Sequence, residues 1–312
     1  MLVQTHTKFD VVIIGGGIAG LSAALWCDEL GLSALLLERN VELGGQLLWT
    51  HDEIKNYFGR EAANGRELRD AFLTQIEKRN FELYLQAQIG EIDLTKREIK
   101  MCDGTKFSAR AVVIATGVSR RKLNVAGEAD FINRGIIESG KKDAAQVAGK
   151  KALIIGGGDA AFENALILAE TAEKVTLIHH RKDFRARREF TEKVKNNPKI
   201  EVLTETEVTK ILGGDKIENV EIKSSANGKT QNLPIDALLI RIGVEPNTKI
   251  FGKKLKLDKN GYIEINQNCE TNLKNIFAVG DVANPLAPTV SSSAGMGATA
   301  AKVIFTLLNS KI

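Results

Sequence analysis

A chain of 312 residues, 43% of them apolar, is long enough for two domains of ordinary size, and its formal charge of +4 is far too mild for a nucleic-acid binder. No window of about 18 apolar residues offers a membrane span, and the opening "MLVQTHTK" lacks the apolar run of a signal peptide, so a soluble cytoplasmic protein is expected. The cysteines, Cys27, Cys102 and Cys269, show neither Cys-x-x-Cys nor metal-ligand spacing, and such a sparse, odd set fits a reducing compartment without a metal site.

The first elements lie in "FDVVIIGGGIAGLSAALWCDELGLSALLLERN". Val11 to Ile14 is a short β-branched run of the kind buried on both faces of a parallel sheet. Gly15, Gly17 and Gly20 follow in G-x-G-x-x-G spacing and open an apolar helical pattern through Leu30; a second apolar run, Leu35 to Leu37, ends in Glu38, about 20 residues past the glycines. Glycines let a backbone approach a pyrophosphate closely, and the helix N-terminus offers it free N–H groups and a positive dipole end. Glu38 suits a ribose diol and would repel a 2′-phosphate, so this site is expected to take FAD or NAD and not NADP. Further on, the alternating "EIDLTKREIKMCDG" reads as a peripheral hairpin strand ending near Cys102.

The same pattern returns in "KKALIIGGGDAAFENALILAETAEKVTLIHHRKDFRARREF". Leu153 to Ile155 make the strand, Gly156, Gly158 and Ala161 the turn, and Val175 to Ile178 the next strand. Gly15 to Glu38 spans the same interval as Gly156 to His179, so no acid ends the second copy. His179, His180, Arg181 and Arg185 stand there instead, cations and donors suited to a 2′-phosphate, and the site reads as one for NADPH. Towards the C-terminus, "TNLKNIFAVGDVAN" is an apolar strand ending in Gly280 and Asp281, followed by a helical "SSSAGMGATAAKVIFTLL". An aspartate at a strand end beside a helix N-terminus can take flavin ribityl hydroxyls.

Together, "GGGIAGLSAA", "LLLERN", "GGQLLWTHDEIKNYFG", "VVIATG", "VAGE", "GGGDAAFENAL", "HHRKDFRA", "GVEPNT" and "FAVGD" resemble the low-molecular-weight thioredoxin reductases and their relatives, in that family's order and over nearly the whole chain. The resemblance implies an α/β fold with two Rossmann-like dinucleotide-binding domains: a discontinuous FAD domain, 1–118 and 248–312, and an NADPH domain, 119–247, inserted into it. Hinges would fall at Thr116 to Ser119 and Gly243 to Asn247. It also implies that Arg39, Gly44, Gly45, Gln46 and Asn56 lie close to FAD, that Thr116 and Gly117 pass its pyrophosphate side, that Asp159 belongs to the NADPH turn, and that the protein is a homodimer.

Two departures stand out. The family's phosphate pattern is His-Arg-Arg-x-x-x-Arg-Ala, and here the first arginine is His180, which donates a hydrogen bond without the permanent charge. The larger departure is in "GIIESGKKDAAQ", where Ser139 and Lys142 fall on the family's two redox cysteines. Serine and lysine carry no redox equivalents, so electrons are expected to leave from the flavin itself, with Ser139 a candidate hydroxyl beside it. Relatives without the cysteine pair include ferredoxin and flavodoxin NADP reductases, which serve small acidic electron carriers. Arg120, Arg121, Lys122, Arg134, Lys141, Lys142, Lys150 and Lys151, against Glu128, Asp130, Glu138 and Asp143, fit such a partner. The chain ends at "LLNSKI" without the flavin-covering extension of those reductases, which keeps open an NAD(P)H oxidase, or a quinone or disulfide reductase acting at an open flavin face. A flavin-binding sensor or scaffold without turnover is the reading of another class.

Overall fold

The computed structural model describes residues 7–310; the readings of "MLVQTHTK" and of the final "LLNSKI" fall in part outside the described residues. Its helices are α1 (Ile18–Glu29), α2 (Gly65–Ile76), α3 (Gly140–Val147), α4 (Asp159–Thr171), α5 (Arg188–Lys195) and α6 (Val290–Asn309). The chain divides into two compact units, one ending at Ser119 and resuming at Glu245, the other running from Arg120 to Val244. Ser119 and residues 245–247, assigned from sequence to the inserted segment, belong to the first unit. Asn247 explains this: its backbone N–H donates to the Gly117 carbonyl (3.0 Å), its Nδ2 to the Thr116 carbonyl (2.8 Å), and its Oδ1 accepts from the Ser119 hydroxyl (2.8 Å).

In the first unit, the strand Lys8–Ile14 lies between Ala34–Leu37 and Lys106–Ile114, parallel to both, with Ile14 level with Leu37 and Ile114. Val11, Val12 and Ile13 have no exposed surface, which is why an unbroken apolar run rather than an alternating one codes for this strand. Ile89–Asp93 and Glu98–Met101 form the antiparallel hairpin expected of "EIDLTKREIKM" and join the sheet beside Lys106–Ile114. The strand Ile276–Ala278 adds to the same central strand from the far end of the chain. Helices α1 and α6 then pack over one face in a core that includes Ala23, Cys27, Val113, Ala300 and Ile304.

The second unit is built around five parallel strands in the order Ile200–Leu203, Lys174–Ile178, Lys151–Ile155, Ala237–Ile240, Ile136–Ile137. Helix α4 covers one face through Ala161, Phe162, Ala165 and Leu168. An antiparallel sheet of Thr206–Gly213, Ile217–Ser224 and Thr230–Pro234 covers the other, its Val208, Ile211, Val220 and Ile222 meeting Leu153, Ile155 and Leu238.

The approach of α6 to α1 depends on Gly297. A Cβ there would stand 2.3 Å from the Ala19 carbonyl oxygen and 2.9 Å from the Ala23 nitrogen, both backbone atoms that cannot swing aside. Gly297→Ala should therefore destabilise the protein by about 1–3 kcal/mol through overpacking. Gly295, two residues earlier and with open space around its Cβ direction, should gain about 0.5–1 kcal/mol on conversion to alanine. Urea midpoints of the two variants should move in opposite directions; a shared direction would mean that α6 is not held by this contact.

Candidate functional site

In the first unit the strand Lys8–Ile14 ends at the glycine turn. Gly15 has φ of +112°, a left-handed value, and a Cβ there would meet the Ala115 carbonyl oxygen at 2.3 Å. Gly20 lies against the Gly15 carbonyl, where a Cβ would stand at 1.9 Å, so it holds helix to turn and does not line the cleft. Glu38 is buried at the end of the next strand; its Oε2 accepts from the Gly16 N–H (2.6 Å) and its Oε1 from the Asn40 N–H (2.8 Å). Both oxygens are thereby aimed while keeping lone pairs for ribose hydroxyls.

Around this turn opens a cleft of about 860 Å³ within the unit. Of the residues expected from sequence, Gly15, Gly17, Glu38, Arg39, Gly44, Gly45, Gln46, Thr116, Gly117, Gly280 and Asp281 line it. Asn56 does not: it is exposed, outside the lining. Asp281 accepts from Gln46 Nε2, and burial raises its carboxyl above the usual range, with Gln46 and Ser293 opposing the shift. Sequence reading missed Asn40, Thr50, Lys249, Thr289 and Ser293 in the lining. Thr289 carried a local signal, since it caps α6 reciprocally with Ser292. The glycine cradle, the oriented carboxylate and the helix N-terminus beside Asp281 suit a dinucleotide with a polyol arm such as FAD.

The second turn repeats the backbone of the first with different chemistry. Gly156 has φ of +156° and packs under the Arg241 carbonyl, 2.3 Å from where its Cβ would be. Where Gly16 meets Glu38, Gly157 meets His179: a Cβ on Gly157 would fall 2.3 Å from the imidazole Cε1. His179 is buried, its Nδ1 has no hydrogen-bond partner, and burial followed by the charge of His180 lowers its pKa, so the ring is held neutral. His180, Arg181 and Arg185 are exposed beyond the strand, and the Arg185 N–H donates to the Gly157 carbonyl (2.8 Å), bringing that segment against the turn. Asp159 is engaged by Arg187, through its N–H (2.7 Å) and Nε (2.8 Å), and so anchors the loop onto the start of α4. An open glycine turn with exposed cations and no carboxylate at the strand end fits a 2′-phosphorylated coenzyme.

Ser139 is the buried N-cap of α3, and its side chain makes no capping bond. The helix start is held by Asp143, whose Oδ2 accepts from the N–H groups of Glu138 (2.8 Å) and Ser139 (3.0 Å), and by Asn164, whose Oδ1 accepts from Gly140 (2.7 Å). Lys142 is exposed and paired with Glu138. The three cysteines are free. Cys27 and Cys269 lie in the same buried cluster, because the chain end packs its strand and helix onto α1. Burial pushes the Cys27 thiol up to about 12 and raises that of Cys269; Cys102 is exposed. Among the described residues no group of His, Cys, Asp and Glu could hold a metal ion, and no helix is long and apolar enough to cross a membrane.

Two Rossmann-like sheets, each with a glycine turn but with opposite chemistry at the following strand end, define an oxidoreductase of the two-dinucleotide flavoprotein class. Residues 9–301 match the family described as Pyridine nucleotide-disulphide oxidoreductase, and the chain belongs to that family. It is 35% identical to a thioredoxin reductase of Listeria innocua over 276 residues, 88% of this chain and 86% of that protein. The crystal structure of Lactococcus lactis thioredoxin reductase matches with a TM-score of 0.83 and 32% identity, covering 96% of this chain and 99% of the other. That of T. acidophilum thioredoxin reductase matches with 0.82 and 27% identity, covering 98% and 100%. The chain is thus an FAD-dependent NADPH oxidoreductase of the thioredoxin reductase type.

The Asp143 carboxylate is the main tie on the segment that stands at the dithiol position. Asp143→Ala frees two N–H groups and should lower stability by about 1–3 kcal/mol, whereas Asp143→Asn, which keeps one acceptor oxygen, should lose less. Thermal denaturation would check the order, and equal losses would show that the carboxylate is not the tie.

Proposed function

We propose that this protein, a cytoplasmic homodimer, oxidises NADPH through FAD and delivers the electrons to a small acidic electron-carrier protein such as a ferredoxin or flavodoxin, with no dithiol of its own in the route. The single observation that carries the reading is the pairing of two complete glycine turns with a dithiol position occupied by Ser139 and Lys142. FAD, when bound, accepts hydride from the nicotinamide and can release electrons singly or in pairs.

In this reading Gly15 and Gly17 cradle the FAD pyrophosphate, Glu38 takes its ribose diol, and Asp281 with Gln46 holds the ribityl arm. Gly156 and Gly158 receive the NADPH pyrophosphate, the buried Ala161 packs the helix against the turn, and His180, Arg181 and Arg185 take its 2′-phosphate. His179 fills, as a neutral ring, the position that a carboxylate would otherwise make repulsive. Ser139 can touch the reacting atoms only through its hydroxyl, which holds no redox equivalents. Buried thiols with raised pKa supply almost no thiolate, and Cys102 is solitary in sequence, so sulfur offers no second route.

The basic residues expected to attract a carrier do not form one surface. Arg134, Lys150 and Lys151 stand at or before the starts of parallel strands, while Lys141 and Lys142 follow a strand end at the opposite edge of the second sheet. Arg134 is also tied to the carbonyls of Gly214 and Asp215. The docking surface is therefore narrowed to Arg120, Lys141, Lys142 and their neighbours.

Neutralising both Arg181 and Arg185 should raise KM for NADPH far more than for NADH, because each charged contact to a phosphate is worth roughly 1.5–3 kcal/mol. Equal losses would assign these arginines to the fold or to the shared half of the coenzyme. A variant with Cys27, Cys102 and Cys269 all replaced by alanine or serine should bind FAD and retain most NADPH-driven reduction of a flavodoxin. Its apparent affinity for that carrier should fall steeply up to physiological salt, where exposed charges are screened within about 8 Å. Abolished turnover in the folded, FAD-loaded variant would restore a thiol route, and salt-independent kinetics would favour a small-molecule acceptor.

A further inference from the structure

In the first unit, one asparagine gathers a turn that walls the cleft. The strands Lys8–Ile14 and Lys106–Ile114 run side by side with Ile14 level with Ile114, so the chain leaves both at the same edge, about 5 Å apart. The first exit is the glycine turn; the second is Ala115, Thr116 and Gly117, with the Ala115 carbonyl packed against Gly15. Thr116 and Gly117 line the cleft together with Gly15 and Gly17. Gly117 has φ of +60°, and a Cβ there would meet nothing within 4 Å, so the left-handed backbone and not crowding calls for glycine. No strand or helix holds this turn, since one strand ends at Ile114 and the next begins at Val118.

Asn247 holds it instead, with every polar group it has engaged there. Its N–H donates to the Gly117 carbonyl (3.0 Å) and its Nδ2 to the Thr116 carbonyl (2.8 Å). Its own carbonyl accepts from the Thr116 hydroxyl (2.9 Å) and its Oδ1 from the Ser119 hydroxyl (2.8 Å). These bonds orient the turn. In a trans peptide, as this one is, N–H and C=O point opposite ways. The Thr116 carbonyl is turned to Asn247, so the Gly117 N–H of the same peptide is turned away from it. Among the described residues no group accepts from that N–H. A backbone donor left unmade in a half-buried wall is costly, and an oxygen of a ligand in the cleft would satisfy it.

We propose that Asn247 is a positioning residue for FAD: by drawing the carbonyls of Thr116 and Gly117 to itself, it turns the Gly117 N–H into the cleft, where it donates to an oxygen of the dinucleotide. At Glu38 two backbone N–H groups orient a side chain. At Asn247 a side chain orients the backbone, and the cleft so gains an aimed donor besides an aimed acceptor. Asparagine suits this task because it carries a donor and an acceptor on one short stem; aspartate would set a second acceptor against the Thr116 carbonyl. The inference rests on the reading in which this cleft holds FAD.

The test uses the full-length, FAD-loaded protein, diluted in steps while released FAD is read by its fluorescence. The Kd for FAD should rise roughly tenfold in Asn247→Ala, which leaves the Thr116 carbonyl without its partner, and roughly tenfold to a hundredfold in Asn247→Asp, which faces it with a second acceptor. Asn272 gives the matched control: its Oδ1 accepts from the Lys256 N–H (2.8 Å) and its Nδ2 donates to the Lys254 carbonyl (3.1 Å), but it lies outside the cleft lining. Asn272→Asp should lower the melting temperature, as the Asn247 variants do, and leave the Kd for FAD at its wild-type value. An equal rise in Kd in Asn272→Asp, or an unchanged Kd in both Asn247 variants, would overturn the positioning role. Should the Asn247 variants fail to fold, hydrogen exchange on the wild type decides: the Gly117 amide should exchange slowly in the loaded protein and quickly once FAD has been released by dilution. Exchange indifferent to FAD would overturn the inference and leave the functional reading standing, whereas failure of the wild type to hold FAD at all would sink that reading itself.

Discussion

The close approach of α6 to α1 through Gly297 is the constraint on which the first unit depends. The two helices come from opposite ends of the chain, and their contact, backbone against missing side chain, brings the strand Ile276–Ala278 into the same sheet as the first glycine turn. Asp281 and Thr289 reach the cleft only because that strand and helix have docked. A bulkier residue at 297 would keep the helices apart, and the C-terminal half of the cleft would lose its register with the N-terminal half. The hydroxyl of Ser22, donating to the Ala294 carbonyl at 2.7 Å, reinforces the same seam.

The two turns show how one backbone solution serves two ligands. In both, a glycine with positive φ tucks under a neighbouring carbonyl, and a second glycine makes room for the side chain that ends the next strand. In the first copy that side chain is a carboxylate, oriented by two N–H groups; in the second it is a desolvated, neutral imidazole. Swapping an acceptor for an uncharged ring removes the repulsion that a 2′-phosphate would meet. In the proposed reading, the exposed cations beyond supply attraction at the surface, accessible to an incoming coenzyme.

The segment Gly135 to Asp143 is ordered by the same economy of hydrogen bonds. Asp143 reaches back to two N–H groups at the start of its own helix, and two guanidinium groups cover the carbonyl of Glu138 from the other side. Ser139 is thereby fixed in a position where its hydroxyl has no structural duty as a cap.

What the sequence determined by itself was whatever is encoded over short spans. Buried parallel strands read as unbroken β-branched runs, glycine turns as fixed spacings, and the contrast between Glu38 and His179 as equal intervals from their glycines, since strand, turn and helix lengths are set by local backbone geometry. The absence of a cysteine pair was equally plain. Tertiary structure decided what depends on distant residues meeting. It moved 245–247 to the first unit through the bonds of Asn247, tied Asp159 to Arg187, put Cys27 and Cys269 in one core, and left Asn56 outside the cleft. It also split an apparently single basic stretch across two edges of a sheet and joined Arg120 to Arg241 over one carbonyl. No periodicity records such meetings, because they follow from strand order and helix docking, which bring together residues that the chain itself keeps far apart.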